Sequence, residues 1–272
     1  MNIEILLGKT KEHLVPIEGT KFFVHHLMLH DFLKLQKAAR EAGFDLQIAS
    51  AFRDYDRQLA IWNAKAKGEK PILDDQERSL NYHQLSPKEI VFSILRWSAI
   101  PGCSRHHWGS DIDIFDANKQ LAEDVKLIPS ECYGTGPSAG MHEWLDQAMA
   151  SAHAYGFFRP YRTDQGGVSP ERWHLSYYPI SRRVVDVYTF SLFKRSIEES
   201  EILLKEIILE NADEIFDRFL YFRAVFFAVR QNQFSLRFVQ RVFENIFDFQ
   251  QKSIQFIAQI FVWAGKTFFS LV

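Results

Sequence analysis

Hydrophobic and polar positions alternate in three short stretches of this chain. In Asp111-Ile112-Asp113-Ile114-Phe115, carboxylates alternate with β-branched residues, the pattern of a half-buried strand. Asp111 and Asp113 then share one face, and Ile112 and Ile114 enter the core on the other. Trp173-His174-Leu175-Ser176-Tyr177 alternates in the same way, so His174 and Ser176 lie opposite Leu175 and Tyr177. Leu46 to Ser50 is a third candidate strand. If the first two pair, Asp113 and His174 meet across them.

Elsewhere the apolar period lengthens to that of a helix. His30 to Ala42 places Phe32, Leu33, Leu35 and Ala39 at helical spacing and stops at Gly43. Asp54 to Asn63 puts Tyr55, Leu59 and Trp62 on one side. Ser86-Pro87-Lys88-Glu89 combines a serine cap, a proline at the first helical position and a glutamate at the third, opening a helix to about Ser98. Polar residues from Gly68 to Gln84 predict a long loop over a cleft, and Met141 to Ala154 a further helix. Strands and helices mixed in this order predict an α+β domain, a small antiparallel sheet flanked by helices.

From about Ser196 the character changes. Ile197 to Phe222 has Leu, Ile and Phe at three- and four-residue steps, and Phe226 to Val272 is Phe-rich, with Phe234, Phe238, Val242, Ile246 and Phe249 in a stripe. We therefore expect a first domain over 1–195 and a helical extension over 196–272. Gln259, Lys266 and Thr267 interrupt the final run, against a membrane-spanning helix. Packing on the first domain, self-association and an interfacial membrane contact are the readings open to this extension.

Composition narrows the function. A chain of 272 residues with 47% hydrophobic and 24% charged residues is a folded protein rather than a disordered one. A formal net charge of -2 gives no electrostatic case for nucleic acid. Two cysteines, Cys103 and Cys132, are too few for a disulfide framework. The first eight residues lack the basic start and long apolar core of a secretory signal, so the cytoplasm is the expected compartment, the periplasm or cell envelope requiring another route.

The chemistry concentrates at two places. Ser104-Arg105-His106-His107-Trp108-Gly109 leads into the first strand, with Gly109 allowing a bend, and Glu171-Arg172-Trp173-His174 leads into the second. Two imidazoles and a carboxylate form a three-ligand zinc set that leaves a fourth position for water. We assign His106, Asp113 and His174 to that set. Glu171, just outside its strand, is the unliganded carboxylate that takes a proton from a zinc-activated water and passes it to a leaving amine.

Ser104-x-His106-x-x-Gly109-x-x-x-Asp113 followed by Glu171-x-Trp173-His174 resembles the zinc D-alanyl-D-alanine carboxypeptidases and dipeptidases of the vancomycin-resistance type, which have the hedgehog/DD-peptidase fold. A third block, Ser50-Ala51-Phe52-Arg53-Asp54-Tyr55-Asp56-Arg57-Gln58, is similar to that family's Ser-x-Tyr-Arg-Ser-x-x-x-Gln segment. The likeness runs from about residue 25 to about 190. It implies that Arg53 engages either the substrate's terminal carboxylate or the oxyanion at the scissile carbonyl, that Ser104 hydrogen-bonds the carboxylate, and that Gln58 contacts the peptide backbone. Phe52 replaces Tyr, Asp54 replaces Ser, and Asp111 stands where Ala is common. Roughly 7 Å from Asp113 along one strand face, Asp111 has three readings: a hydrogen-bond partner for a ligand imidazole, a replacement for Asp113, or a solvated or capped carboxylate.

The resemblance implies a Zn2+ enzyme that removes the terminal D-Ala of peptidoglycan stem peptides or their precursors. A D-Ala-D-Ala dipeptidase, a cell-wall endopeptidase and a non-catalytic zinc-binding peptide-recognition module are the alternatives.

Overall fold

The structure, a computed structural model, describes residues 2–221 apart from Asp186. The chain opens with a short helix, Ile3–Leu6 (α1), and a two-stranded ribbon of Leu14–Pro16 (β1) and Phe23–His25 (β2). His26–Glu41 (α2), Leu46–Ser50 (β3) and Tyr55–Ala66 (α3) follow, then Pro87–Leu95 (α4) and Asp111–Asp116 (β4). Pro129–Cys132 (α5), Ala139–Ala150 (α6), Phe157–Phe158 (β5) and His174–Tyr177 (β6) complete the sheet region. Four helices close the described chain: Tyr178–Val185 (α7), Phe190–Glu198 (α8), Lys205–Glu210 (α9) and Ala212–Ile215 (α10), the last running into a π-helical turn, Phe216–Tyr221.

This is the α+β architecture expected from the pattern. The main sheet is antiparallel in the order β3-β4-β6-β5. Its register puts Asp113 opposite His174, Ile112 opposite Leu175 and Asp111 opposite Ser176. The alternation predicted a half-buried β4, yet all six of its residues are buried. Ile112 and Ile114 pack with Phe32 and Leu35 of α2 and Leu145 of α6, while the opposite, polar face is closed by the segment leading into β4 and by charge pairs.

Local chemistry explains most helix ends. Asp54 caps α3, its side chain accepting from the Arg57 amide at 3.0 Å, so the departure from Ser preserves a capping residue. Ser86 and Glu89 form the full capping box of α4, which ends at Leu95, short of Ser98. Helix α2 begins at His26, four residues before its apolar period becomes evident, because His25 acts as the cap and accepts from the Leu27 amide at 3.2 Å.

A second core lies under α3 and α4. There Trp62, Ile90 and Ile94 pack with Phe193 and Ile197 of α8 and with Ile208 and Ile215 of the last helices. The boundary expected between 195 and 196 thus falls inside α8, where Phe193, Ser196 and Ile197 are buried. The helical stretch expected over 197–222 is divided at 199–204 and again at Asn211. No helix among the described residues is long and apolar enough to cross a membrane. The Phe-rich stripe from Phe234 to Phe249, with the readings attached to it, lies outside the described residues.

Candidate metal centre and active site

Two strands and one turn bring the first cluster together. Antiparallel pairing of β4 and β6 sets Asp113 beside His174. The 3-10 turn Arg105–Trp108 ends at Gly109, whose φ of +68° reverses the chain into β4 and delivers His106 over Asp113. His106 Nε2 lies 3.3 Å from Asp113 Oδ2, and His174 Nδ1 lies 3.3 Å from Asp113 Oδ1. One donor atom from each of the three residues falls within 4.8 Å of the others, and all three side chains are buried.

The remaining nitrogen of each imidazole is occupied. His106 Nδ1 is 2.9 Å from the Ala51 carbonyl oxygen and donates to it, which turns Nε2 and its lone pair inward. His174 Nε2 is 3.0 Å from Asp111 Oδ1, which turns Nδ1 inward. Asp111 is itself fully buried, bound by Arg105 Nε at 2.7 Å and by Ser110 Oγ at 2.8 Å. Burial alone would raise its pKa, but Arg105, His174 and Ser110 lower it to about 2. Of the three readings of Asp111, the geometry matches a hydrogen-bond partner of His174, one of the candidate donors.

The inner face fits a cation. Asp113 Oδ1 is buried and receives no aligned hydrogen bond. Burial opposes a charge on His174, yet Asp111, Asp113 and Glu171 together hold its pKa well above the ordinary range. A pocket that drives a buried imidazole towards a positive charge is one a divalent cation satisfies directly. Glu171 reaches this face from the loop before β6: its Oε2 is 3.4 Å from His174 Nδ1, and its amide bonds to the Tyr161 carbonyl at 2.9 Å.

Arg53 sits at the β3-to-α3 junction, as expected, and ignores its acidic neighbours Asp54 and Asp56. Its Nη1 donates to Gln58 Oε1 at 2.9 Å and its Nη2 to Ser50 Oγ at 3.2 Å. Gln58 requires a correction. Expected against the peptide backbone, it is fully buried, and its amide nitrogen bonds to the Ala99 carbonyl at 2.7 Å. Both ends of the amide are thus engaged inside the protein, and what Gln58 touches is Arg53. Ser104 opens the turn that carries His106 and is almost fully buried.

Several residues near the site have roles that the sequence did not indicate. His107 beside His106 serves the scaffold: its Nε2 accepts from the Gly102 amide at 3.0 Å and its Nδ1 donates to the Arg53 carbonyl at 2.6 Å. Burial lowers its pKa to about 4 and keeps the ring neutral. Tyr161 packs edge-on to His174 with centroids 5.1 Å apart, and Trp173 stacks on Trp97 at 6.5 Å. Their aromatic character was visible, but only the folded chain puts them beside these partners.

The family model for VanY, D-alanyl-D-alanine carboxypeptidase, matches residues 21–180. That span is more than half of the chain, and the protein belongs to the VanY D-alanyl-D-alanine carboxypeptidase family. An uncharacterised Haemophilus influenzae protein is 44% identical over 100 residues, covering 36% of this chain and 68% of its own length. A D-alanyl-D-alanine carboxypeptidase of Enterococcus faecalis is 27% identical over 146 residues, covering 53% of this chain and 44% of its own. Among solved structures, a mutant of the vancomycin-resistance D,D-pentapeptidase VanY in complex with Zn(II) is similar at a TM-score of 0.44 and 21% identity, over 73% of this chain and 92% of that one.

Proposed function

We propose that this protein is a zinc-dependent D-alanyl-D-alanine carboxypeptidase that hydrolyses the terminal D-Ala of peptidoglycan stem peptides or their precursors. One observation carries the reading. In a chain of this family, three convergent buried donors, His106, Asp113 and His174, lie beside a carboxylate, Glu171, that is outside the donor set. His106 Nε2, His174 Nδ1 and an Asp113 oxygen would hold the ion. Zinc supplies Lewis acidity: it polarises a carbonyl and makes water acidic near neutral pH.

The rest falls to the chain itself. Glu171 takes the proton of the attacking water on its carboxylate and returns it to the leaving amine nitrogen. Its side chain is only 12% exposed, so the proton is not readily lost to bulk water. Arg53 uses two of its five N–H groups on Gln58 and Ser50, leaving the others for the oxyanion or the substrate carboxylate. Gln58 holds Arg53 in that attitude. Asp111 and Ala51 keep the two imidazoles turned towards the ion.

The test is D-alanine release from Nα,Nε-diacetyl-Lys-D-Ala-D-Ala by zinc-loaded protein, with Glu171→Ala beside it. The expected outcome is turnover by the parent, loss of about 10²–10⁴-fold in kcat in the variant, and one zinc retained by both. Turnover of free D-Ala-D-Ala with none of the acylated peptide would assign a dipeptidase instead. Zinc binding with no hydrolysis of either would leave a peptide-recognition module.

A further inference from the structure

Helix α3 carries a charged group on its inner face, Lys65, that has no part in the proposed reaction. At helical spacing, Gln58, Trp62 and Lys65 share the inner face of α3, and Gln58 and Trp62 are fully buried. Lys65 is half-buried, and its Nζ donates to Ser98 Oγ at 2.7 Å. Two turns back along the helix, Gln58 binds the Ala99 carbonyl and Arg53. The inner face of α3 is thus joined to 98–99 at two points, and one of them leads straight to Arg53. The residue before Ser98, Trp97, stacks on Trp173, which stands between Glu171 and His174 in sequence. Lys65 and Ser98 therefore sit where α3 and the Trp97–Trp173 wall converge on the reaction centre. The charges of both Glu171 and Arg53 act on Lys65 there.

Among the described residues, Lys65 has no ion-pair partner: no carboxylate lies within 4 Å of its Nζ. More exposed lysines have one: Lys34 is 3.0 Å from Asp31, and Lys88 is 3.7 Å from Glu214. Holding a partly desolvated ammonium without an anion is unfavourable, and burial already lowers the Lys65 pKa to about 8. One of its three donors goes to a neutral hydroxyl; two remain. A compact cation on a flexible stem, next to a serine hydroxyl that can also donate, is suited to a single carboxylate.

We propose that Lys65 and Ser98 form an anion subsite at the edge of the reaction centre that binds a carboxylate of the peptide substrate. The inference rests on the peptidase reading and extends it to the substrate's charge. Two carboxylates qualify: the free terminus of the leaving residue, or an acidic side chain on the acyl side of the scissile bond.

Steady-state kinetics with Lys65→Met and Lys65→Arg separate them, using Nα,Nε-diacetyl-Lys-D-Ala-D-Ala and N-acetyl-Glu-D-Ala-D-Ala. Lys65→Met is expected to raise KM about tenfold, more than it lowers kcat, and Lys65→Arg to restore most of the loss. A rise on both peptides assigns the terminal carboxylate, and a rise on the glutamyl peptide alone assigns the side chain. Unchanged KM on both in Lys65→Met overturns the subsite. Thermal denaturation of each variant shows whether the site is intact, and Lys65→Gln replaces Lys65→Met should the latter not fold. If the parent hydrolyses neither peptide, the carboxypeptidase reading fails by itself. Calorimetric binding of the same peptides and their C-terminal amides then decides the subsite: weaker binding to Lys65→Met supports it, and equal or absent binding overturns it.

Discussion

Asp111 shows how one substitution can reshape a candidate metal site without itself belonging to the donor set. Where the resembling family commonly has Ala, this chain buries a carboxylate that binds His174 Nε2 at 3.0 Å and is neutralised by Arg105 at 2.7 Å. The charge is affordable only because Arg105 is fixed in turn, its Nη2 bonding to Ser176 Oγ at 2.6 Å. Asp111→Ala is expected to lower zinc affinity about 10–100-fold, read by competition with a chromogenic chelator, while Asp111→Asn loses less because it can still accept from the ring. Unchanged affinity in Asp111→Ala would show that the hydrogen bond does not orient His174. The sequence offered Asp111 three roles because alternation places a side chain on a face without naming its neighbour. Gln58 was misplaced for the same reason. Its motif position is compatible with a peptide contact, and only the fold shows both ends of its amide in use. Gln58→Ala should therefore lower kcat/KM about tenfold by freeing Arg53, consistent with the loss of one hydrogen bond to a charged group. Kinetics on the acylated tripeptide check this, and an effect confined to stability would remove the positioning role.

At the scale of elements, the strands that carry the site were the most legible part. Period-two alternation fixed which faces of 111–115 and 173–177 carry the acids and the imidazole, and the observed register puts Asp113 against His174. The start of α2 was not legible, because a histidine cap is an uncommon signal. That cap has a pH consequence. Burial lowers the His25 pKa to about 4, with His26, His13 and Arg183 adding to the effect, and burial lowers that of His13 as well. Both folded-state values lie below the unfolded value of about 6.5. The unfolded chain thus binds more protons across this window, and their contribution to stability is present above about pH 6.5 and lost as pH falls towards 4. Urea midpoints measured from pH 7.5 to 4.5 should decline in the parent. His25→Asn, which keeps a capping side chain but does not titrate, should decline less, and parallel curves would exclude His25 as a source of the slope.

Across the whole molecule, the residues that carry the chemistry and those that stabilise it are not the same set. The family match ends at residue 180, yet Phe193, Ile197, Ile208 and Ile215 fill one core with Trp62, Ile90 and Ile94 from inside that match. Composition could mark a change of character near Ser196, but it cannot tell a helix packed beneath α3 from a separate appendage. Phe193→Ala is expected to destabilise the catalytic unit by about 3–5 kcal/mol. The loss would appear in denaturant midpoints, and zinc binding and tertiary signal should disappear in the same transition. Separate transitions would mean that α8 and the helices after it unfold on their own.

The burial of the three donors has a temporal side. Their side chains are 4–7% exposed, and the carboxylate of Glu171 stands against one of them. With the donors this enclosed, an ion held here as proposed would exchange slowly, at a rate that depends on how often the surrounding packing loosens as well as on chelator concentration. Brief dialysis and long dialysis would then give different proteins. The ion found in the purified protein would then reflect the metals present during its preparation.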